Sequence, residues 1–213
     1  MSSFNISNFY IFNLSAPVFD EQSNKFIAKL SDMNQGQGHA YMKSSSLRLL
    51  GIHNNILFAE FLYSSQDFYN FIKSLDEYMK HEVIENGKQW FGEKFDADKV
   101  NNLFRPSIKL PEKLPSLPFI EFKLSDQCII VNKELEKDYD LNDLKMDMEI
   151  KLHFCIDGVE FYKNHCNVSF SVYEIDINKN LCQTLDNLFN PVSEAINDTE
   201  SEILDLAANY EDN

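Results

Sequence analysis

Residues 148–177 read MEIKLHFCIDGVEFYKNHCNVSFSVYEIDI, and the fold follows from where this stretch turns. Met148, Ile150, Leu152, Phe154 and Ile156 alternate with Glu149, Lys151, His153 and Cys155. Period-two alternation buries one face of a strand and leaves the other outside. Asp157-Gly158 is a tight-turn signal, because glycine adopts positive φ without a steric cost. The expectation is a strand Met148–Ile156, a two-residue turn, a strand Val159–Lys163, and a third strand Val168–Ile177. In that third strand the alternation starts on Val168, Phe170 and Val172, then shifts to Tyr173, Ile175 and Ile177. A phase change of this kind predicts a bulge, as at a barrel corner.

Working outward, Phe4–Leu14 and Lys25–Ser31 read as strands, the second with Phe26, Ala28 and Leu30 on one face. Asn34–Gly38 reads as a flexible turn, because no strand–loop–helix context with a phosphate-binding lysine follows it. His39–Leu50 and Asn55–Tyr63 read as further strands. The pattern changes at Ser65: Phe68, Phe71, Ile72, Leu75, Tyr78, Met79 and Val83 fall three and four apart. That predicts an amphipathic helix over Gln66–Glu85, with Ser64 or Ser65 as N-cap and Asn86-Gly87 as its stop. Asp96 caps a short helix Ala97–Phe104, and Pro106 ends it. Ser107–Leu110 is a short strand. Pro111, Pro115 and Pro118 mark a linker or edge crossing, followed by strands Phe119–Leu124 and Gln127–Val131. Glu134–Lys145 is charged and surface-exposed.

Strands, a helical insertion, then strands give an α+β fold dominated by antiparallel sheet. A small OB-like barrel with inserted helices fits this order, and a jelly roll or split sheet stays open. The domain would span 1–190 with its helical insertion at 65–105, and 191–213 would form an acidic C-terminal tail. The 213 residues carry a net charge of −15. Residues 179–213 hold eight acids and one base, so roughly half of that charge lies in the last sixth of the chain. Net charge alone argues against a phosphate partner, but a separable acidic tail can mask local basic patches. MSSFNISNFYIF lacks a basic leader and an apolar core, so it does not read as a signal peptide. No apolar run reaches the roughly 18 residues of a membrane span, and no membrane partner is expected. Cys128, Cys155, Cys166 and Cys182 lie far apart without a C-x-x-C pair and read as reduced, mostly buried thiols of an intracellular protein.

Candidate chemistry is sparse. His153, Cys155, His165 and Cys166 form the best metal set. Adjacent strand residues point to opposite faces, so ordinary core and surface roles are favoured, and no metal or cofactor is expected. A two-residue turn at Asp157-Gly158 would set Cys155 opposite Glu160 and His153 opposite Tyr162. No nucleophile motif occurs. The acidic pairs Asp138/Asp140, Asp147/Glu149 and Glu174/Asp176 could hold a divalent ion for phosphoryl transfer, but they sit in polar sequence that suits a solvated face. Single-strand binding needs cations along a backbone and rings for stacking. Lys25, Lys29, Lys43, Arg48, Arg105, Lys109, Lys123, Lys151 and Lys163 supply the charge, and Tyr41, Tyr162 and Trp90 the rings. Trp90 either plugs the barrel end or offers a stacking face.

The aromatic-rich first half, the helix, Trp90-Phe91-Gly92, the 144–177 hairpin and the acidic tail together resemble the single-stranded DNA-binding proteins of large DNA viruses. Those are similar to phage replication proteins with one OB fold and an acidic C-terminal tail. The resemblance covers roughly Phe26–Ile177 and the tail. It implies non-catalytic, sequence-independent binding of single-stranded DNA in replication or recombination. It also implies a tail that occupies the groove when DNA is absent and recruits replication proteins when displaced. Ile203, Leu204, Leu206 and Tyr210 would form the docking patch of that tail, or the tail simply keeps the chain solvated. A homodimer stays open. If the protein is viral, it works in host cytoplasm or nucleus at replication sites. The alternative is a viral protein-interaction or structural module, and a third class is a metal-dependent nuclease. A basic groove favours the first, a large apolar patch without cations the second, and three converging carboxylates the third.

Overall fold

The computed structural model describes residues 12–32, 38–111, 117–132 and 137–177. The chain divides into Met1–Asn178, which holds every described residue, and Lys179–Asn213, which lies outside them. Among the described residues there are eleven strands and two α-helices: β1 (Phe12–Leu14), β2 (Val18–Asp20), β3 (Lys25–Asp32), β4 (Gly38–Lys43), β5 (Leu47–His53), β6 (Ile56–Phe61), α1 (Gln66–Phe91), α2 (Ala97–Leu103), β7 (Ile108–Lys109), β8 (Phe119–Asn132), β9 (Lys137–Tyr139), β10 (Glu149–Phe161) and β11 (Cys166–Ile177). No helix of theirs is long and apolar enough to cross a membrane.

Five strands close a ring. β5 pairs β6, β6 pairs β8, β8 runs parallel to β11, β11 pairs β10, and β10 returns to β5. This is a closed OB-like barrel in which β4 and β5 act as one bent first strand, broken at residues 44–46. The break is pinned to β10, since Ser44 N–H donates to Leu152 O and Leu152 N–H donates to Ser44 Oγ, each at 2.8 Å. Inward side chains of three strands meet in the barrel: Phe122, Phe154 and Phe170 have ring centroids 5.2–5.9 Å apart. Phe68 of α1 is fully buried and reaches Phe154 at 5.8 Å, so this helix closes the barrel end. Trp90 does not plug it. Its ring lies against Phe91 and Phe161, half-buried at the far end of α1.

The decisive stretch turns later than its sequence suggests. β10 runs unbroken through Asp157-Gly158, and the turn is Tyr162–His165, closed by Tyr162 N–H donating to His165 O at 2.8 Å. Gly158 is needed for a strand crossing instead. β10 leaves β4 after Ile156 and takes up β3 from Gly158 onward. A Cβ on Gly158 would stand 1.9 Å from the Ala28 carbonyl oxygen, with φ at +136°. Asp157 caps no turn either, because its Oδ2 accepts from Ser169 and Ser171 of β11. The true register sets His153 opposite Glu174 and Cys155 opposite Ser171. The phase change in β11 is a bulge, as expected: His153 pairs Glu174 while Phe154 pairs Val172, leaving Tyr173 as the extra residue.

α1 also outruns its expected stop. Gly87 is helical and buried, and a Cβ there would lie 3.0 Å from Phe95, so glycine makes room for that ring. The cap is Gly92, at φ 73°, whose N–H donates to Lys88 O. At the other end Ser65 is the N-cap, although its hydroxyl donates to Leu62 O. Asp96 caps α2 as expected, accepting from Lys99 N–H at 2.7 Å. The segments 119–124 and 127–131 are one strand, β8, and β9 lies within the stretch read as exposed. Residues 1–11 and 33–37 lie outside the described residues, and with them most of the first expected strand and the Asn34–Gly38 loop.

Candidate nucleic-acid interface

A groove of about 270 Å³ crosses the outer face of the barrel beside β6 and β8. Its floor includes Ile56, Glu121 and Lys123, and the Tyr162–His165 turn closes one side. The segment Arg105–Lys109 also lines it and is held to the rest of the fold at two points. Arg105 N–H donates to Cys166 O at 2.8 Å. Ser107 donates to the buried Asp76 of α1 through N–H (2.8 Å) and Oγ (2.6 Å). Lys109 Nζ donates to Pro106 O at 2.9 Å. Burial pushes the Asp76 carboxyl up to about 6 against those two hydrogen bonds. Beyond Ile56 and Lys123 the groove opens at the β5–β6 turn, where Asn54 and Asn55 both adopt positive φ. Asn55 Nδ2 ties that turn to Leu124 O at 2.8 Å.

The rings at the groove are preformed. Tyr162 and His165 stack with centroids 4.5 Å apart and planes 6° apart. His165 is held below its ordinary value by burial and by the nearby charges of Arg105 and Lys109, which disfavours the charged ring. Glu160 sets the charge beneath. It is buried and accepts from Lys25 Nζ (2.9 Å), from Lys123 Nζ and from Tyr162 OH (2.8 Å). Burial alone would raise its carboxyl, but these three donors hold it down to about 2. Lys123 also donates to Ser169 Oγ at 2.9 Å.

Of the sequence candidates, the structure brings Arg105, Lys109, Lys123 and Tyr162 together in the groove. Lys25 and Lys163 line a neighbouring cleft that shares Tyr162 and His165. Tyr41, Lys43 and Lys151 lie elsewhere, on β4 and β10. Tyr41 is 49% exposed and meets Tyr173 edge-on at 5.3 Å, Lys43 Nζ is 3.9 Å from Asp176, and Lys151 pairs with Asp176 across strands. Arg48 is tied to the buried Glu60, with Nε 2.6 Å from Oε2. Lys29 is exposed on β3. The tail residues Ile203, Leu204, Leu206 and Tyr210 lie outside the described residues.

The metal set is dispersed. His153 pairs Glu174, while Phe161 pairs Cys166 eight residues along β10, on the order of 26 Å away. Burial raises the thiols of Cys155 and Cys166 to about 12 and 11. Among the described residues no group of three or more His, Cys, Asp or Glu could hold a metal ion. Sequence reasoning missed Glu160 and His165 as site residues. A lone acid between Val159 and Phe161 was the available signal for the first, since a charge in an apolar run needs a partner. Placing the turn at Lys163-Asn164 would have set Tyr162 and His165 at its two ends.

No protein-family model matches the chain, and no curated protein matches it in sequence. Among solved structures it is similar to the single-stranded DNA-binding protein from bacteriophage Enc34. The C-terminally truncated form is 14% identical, with 79% of this chain and 94% of that chain covered and a TM-score of 0.46. The form in complex with single-stranded DNA is 13% identical, with 79% and 96% covered and a TM-score of 0.44. A third structure of that protein is 12% identical, with 79% and 90% covered and a TM-score of 0.43.

Proposed function

We propose that this protein binds single-stranded DNA without sequence preference and without catalysis. The carrying observation is the groove itself: Arg105, Lys109 and Lys123 beside a stacked ring pair, between the β5–β6 turn and the β10–β11 turn. With β4/β5 as first strand, those turns join strands one and two and strands four and five, the loops an OB barrel uses for oligonucleotides. Cations track a phosphate backbone and rings accept any base, so the arrangement suits binding that ignores sequence. The choice of DNA comes from the resemblance of the sequence. From the same source we infer a role in viral or phage replication or recombination inside the cell. The acidic tail would then compete for the groove and recruit replication proteins.

Fluorescence anisotropy with a labelled single-stranded oligonucleotide tests this, run over a salt titration on the full chain and on a chain ending at Asn190. Binding should weaken with salt and tighten when the tail is removed. No binding by either chain at low salt would overturn the proposal and leave the protein-interaction reading.

A further inference from the structure

We infer that the cleft next to the groove is a base pocket, which takes one nucleobase of the bound strand against Phe26 and Phe91. This rests on the single-strand reading above and adds a second site to it. The cleft encloses about 610 Å³ between β2–β3 on one side and the end of α1 with α2 on the other.

Three observations carry the inference. The first is unburied aromatic surface. The alternation that buries Ala28 and Leu30 leaves Phe26 of the same face 43% exposed, and Phe19 beside it is 46% exposed, with their centroids 5.0 Å apart. Phe91 stands edge-on to Phe26 at 6.3 Å and stacks on Phe95 at 5.6 Å. Exposed rings facing a concavity lose nothing on the protein side when a flat ligand covers them.

The second is charge. In a chain of net charge −15, the described residues lining this cleft include Lys25, Lys99 and Lys163 and no carboxylate. Glu160 and Glu93, which pair with Lys25 and Lys99, stand outside the lining. An apolar peptide needs no such rim. A nucleotide needs both parts, a ring-lined interior for the base and cations for its phosphate.

The third is continuity. Tyr162 and His165 line the groove on one side and the cleft on the other. A strand leaving the groove over this ring pair arrives at the cleft mouth, with Lys163 in the turn between them.

The test uses the full chain, an oligothymidylate of about a dozen nucleotides, and a matching sugar–phosphate oligomer without bases. Phe26→Ala should weaken binding to the thymidylate on the order of ten-fold and leave binding to the base-free oligomer unchanged. Phe19→Ala, at a second exposed position, should behave alike. Trp90 touches Phe91 and Phe161 at ring distances of 6.4 and 6.3 Å, and it is the only tryptophan. Its emission should change with the thymidylate and not with the base-free oligomer. Wild-type binding that Lys109→Gln weakens and Phe26→Ala and Phe19→Ala leave intact would overturn the pocket alone. Equal losses on both oligomers would assign Phe26 a structural role and overturn it too. A change in solution mass on Phe26→Ala would mean that a second copy covers the cleft. No wild-type binding at all would overturn the groove and the pocket together.

Discussion

Glu160 stands at the end of β10 with two lysines and a tyrosine around one carboxylate. It cancels one of the two positive charges it gathers, Lys123 in the groove and Lys25 in the neighbouring cleft, so the three groups together carry a net +1. Replacing it by the neutral isostere, Glu160→Gln, should tighten single-stranded DNA binding and steepen the salt dependence. The same change should lower stability by about 3–5 kcal/mol, the range for breaking a buried pair, because Lys123 is 40% exposed and can turn to water but Lys25 is only 11% exposed and would be left without its counter-charge. Binding isotherms and chemical denaturation on one variant check both halves. Weaker binding by Glu160→Gln would show that the carboxylate orients Lys123 and Tyr162 more than it neutralises them. The acid response has a fixed sign. A carboxyl held down to about 2 contributes stability that is present above its ordinary value near 4.5 and is lost as pH falls toward 2. Asp76 works the other way. Its carboxyl is raised to about 6 by burial, so its contribution is full below its ordinary 3.8 and is lost as pH rises through 6. The two windows barely overlap, and stability from these groups should peak near pH 4–5. Denaturation across pH 2–8 should show that maximum. Asp76→Asn should remove the decline on the high side, which is on the order of 2–3 kcal/mol.

Elements show where a glycine is a turn and where it is a gap. Gly158 and Gly87 both read as chain punctuation in sequence, and both serve close packing. Gly158→Ala would drive a Cβ into the Ala28 backbone, 1.9 Å from its oxygen, and backbone cannot step aside as a side chain can. The expected loss is at least about 3 kcal/mol, read by denaturation. Gly87→Ala meets only the Phe95 ring at 3.0 Å and gains helix propensity, so its net effect should stay within about 1 kcal/mol. These two positions also mark the limit of legibility. Local sequence found most of the strands, though not β2 or β9, and it found α1, the Asp96 cap and the β11 bulge, because each is decided by neighbours in sequence. It misplaced the β10–β11 turn because the demand for glycine came from β3, about 130 residues earlier in the chain. The site suffered the same way: Arg105, Lys109, Lys123 and Tyr162 were named singly, but only the closed ring of strands brings them together. Alternation places Phe26 on the face of the buried Ala28 and Leu30, and it does not reveal that Phe26 lines a cleft instead.

At the scale of the whole molecule, the proposed binding requires that a chain of net charge −15 offer a polyanion one favourable approach. The groove and its turn carry Arg105, Lys109, Lys123 and Lys163. A second set, Lys43 and Lys151, lies on the outer surface of β4 and β10, where Asp176 faces both. Lys151 precedes Glu160 by nine residues along β10 and Lys43 pairs with His153 beside it, on the order of 30 Å from the groove end of that strand, so a strand in the groove does not cover them. Each phosphate neutralised on a single strand contributes about 0.7 to the slope of log affinity against log salt. Four engaged cations therefore predict a slope near −3. Lys109→Gln or Arg105→Gln should each flatten it by about 0.7, whereas Lys43→Gln and Lys151→Gln should leave slope and affinity unchanged. Anisotropy titrations of the four variants at a series of salt concentrations decide between the two surfaces. The opposite pattern, with Lys43 and Lys151 carrying the slope, would move the strand onto the Tyr41–Tyr173 face.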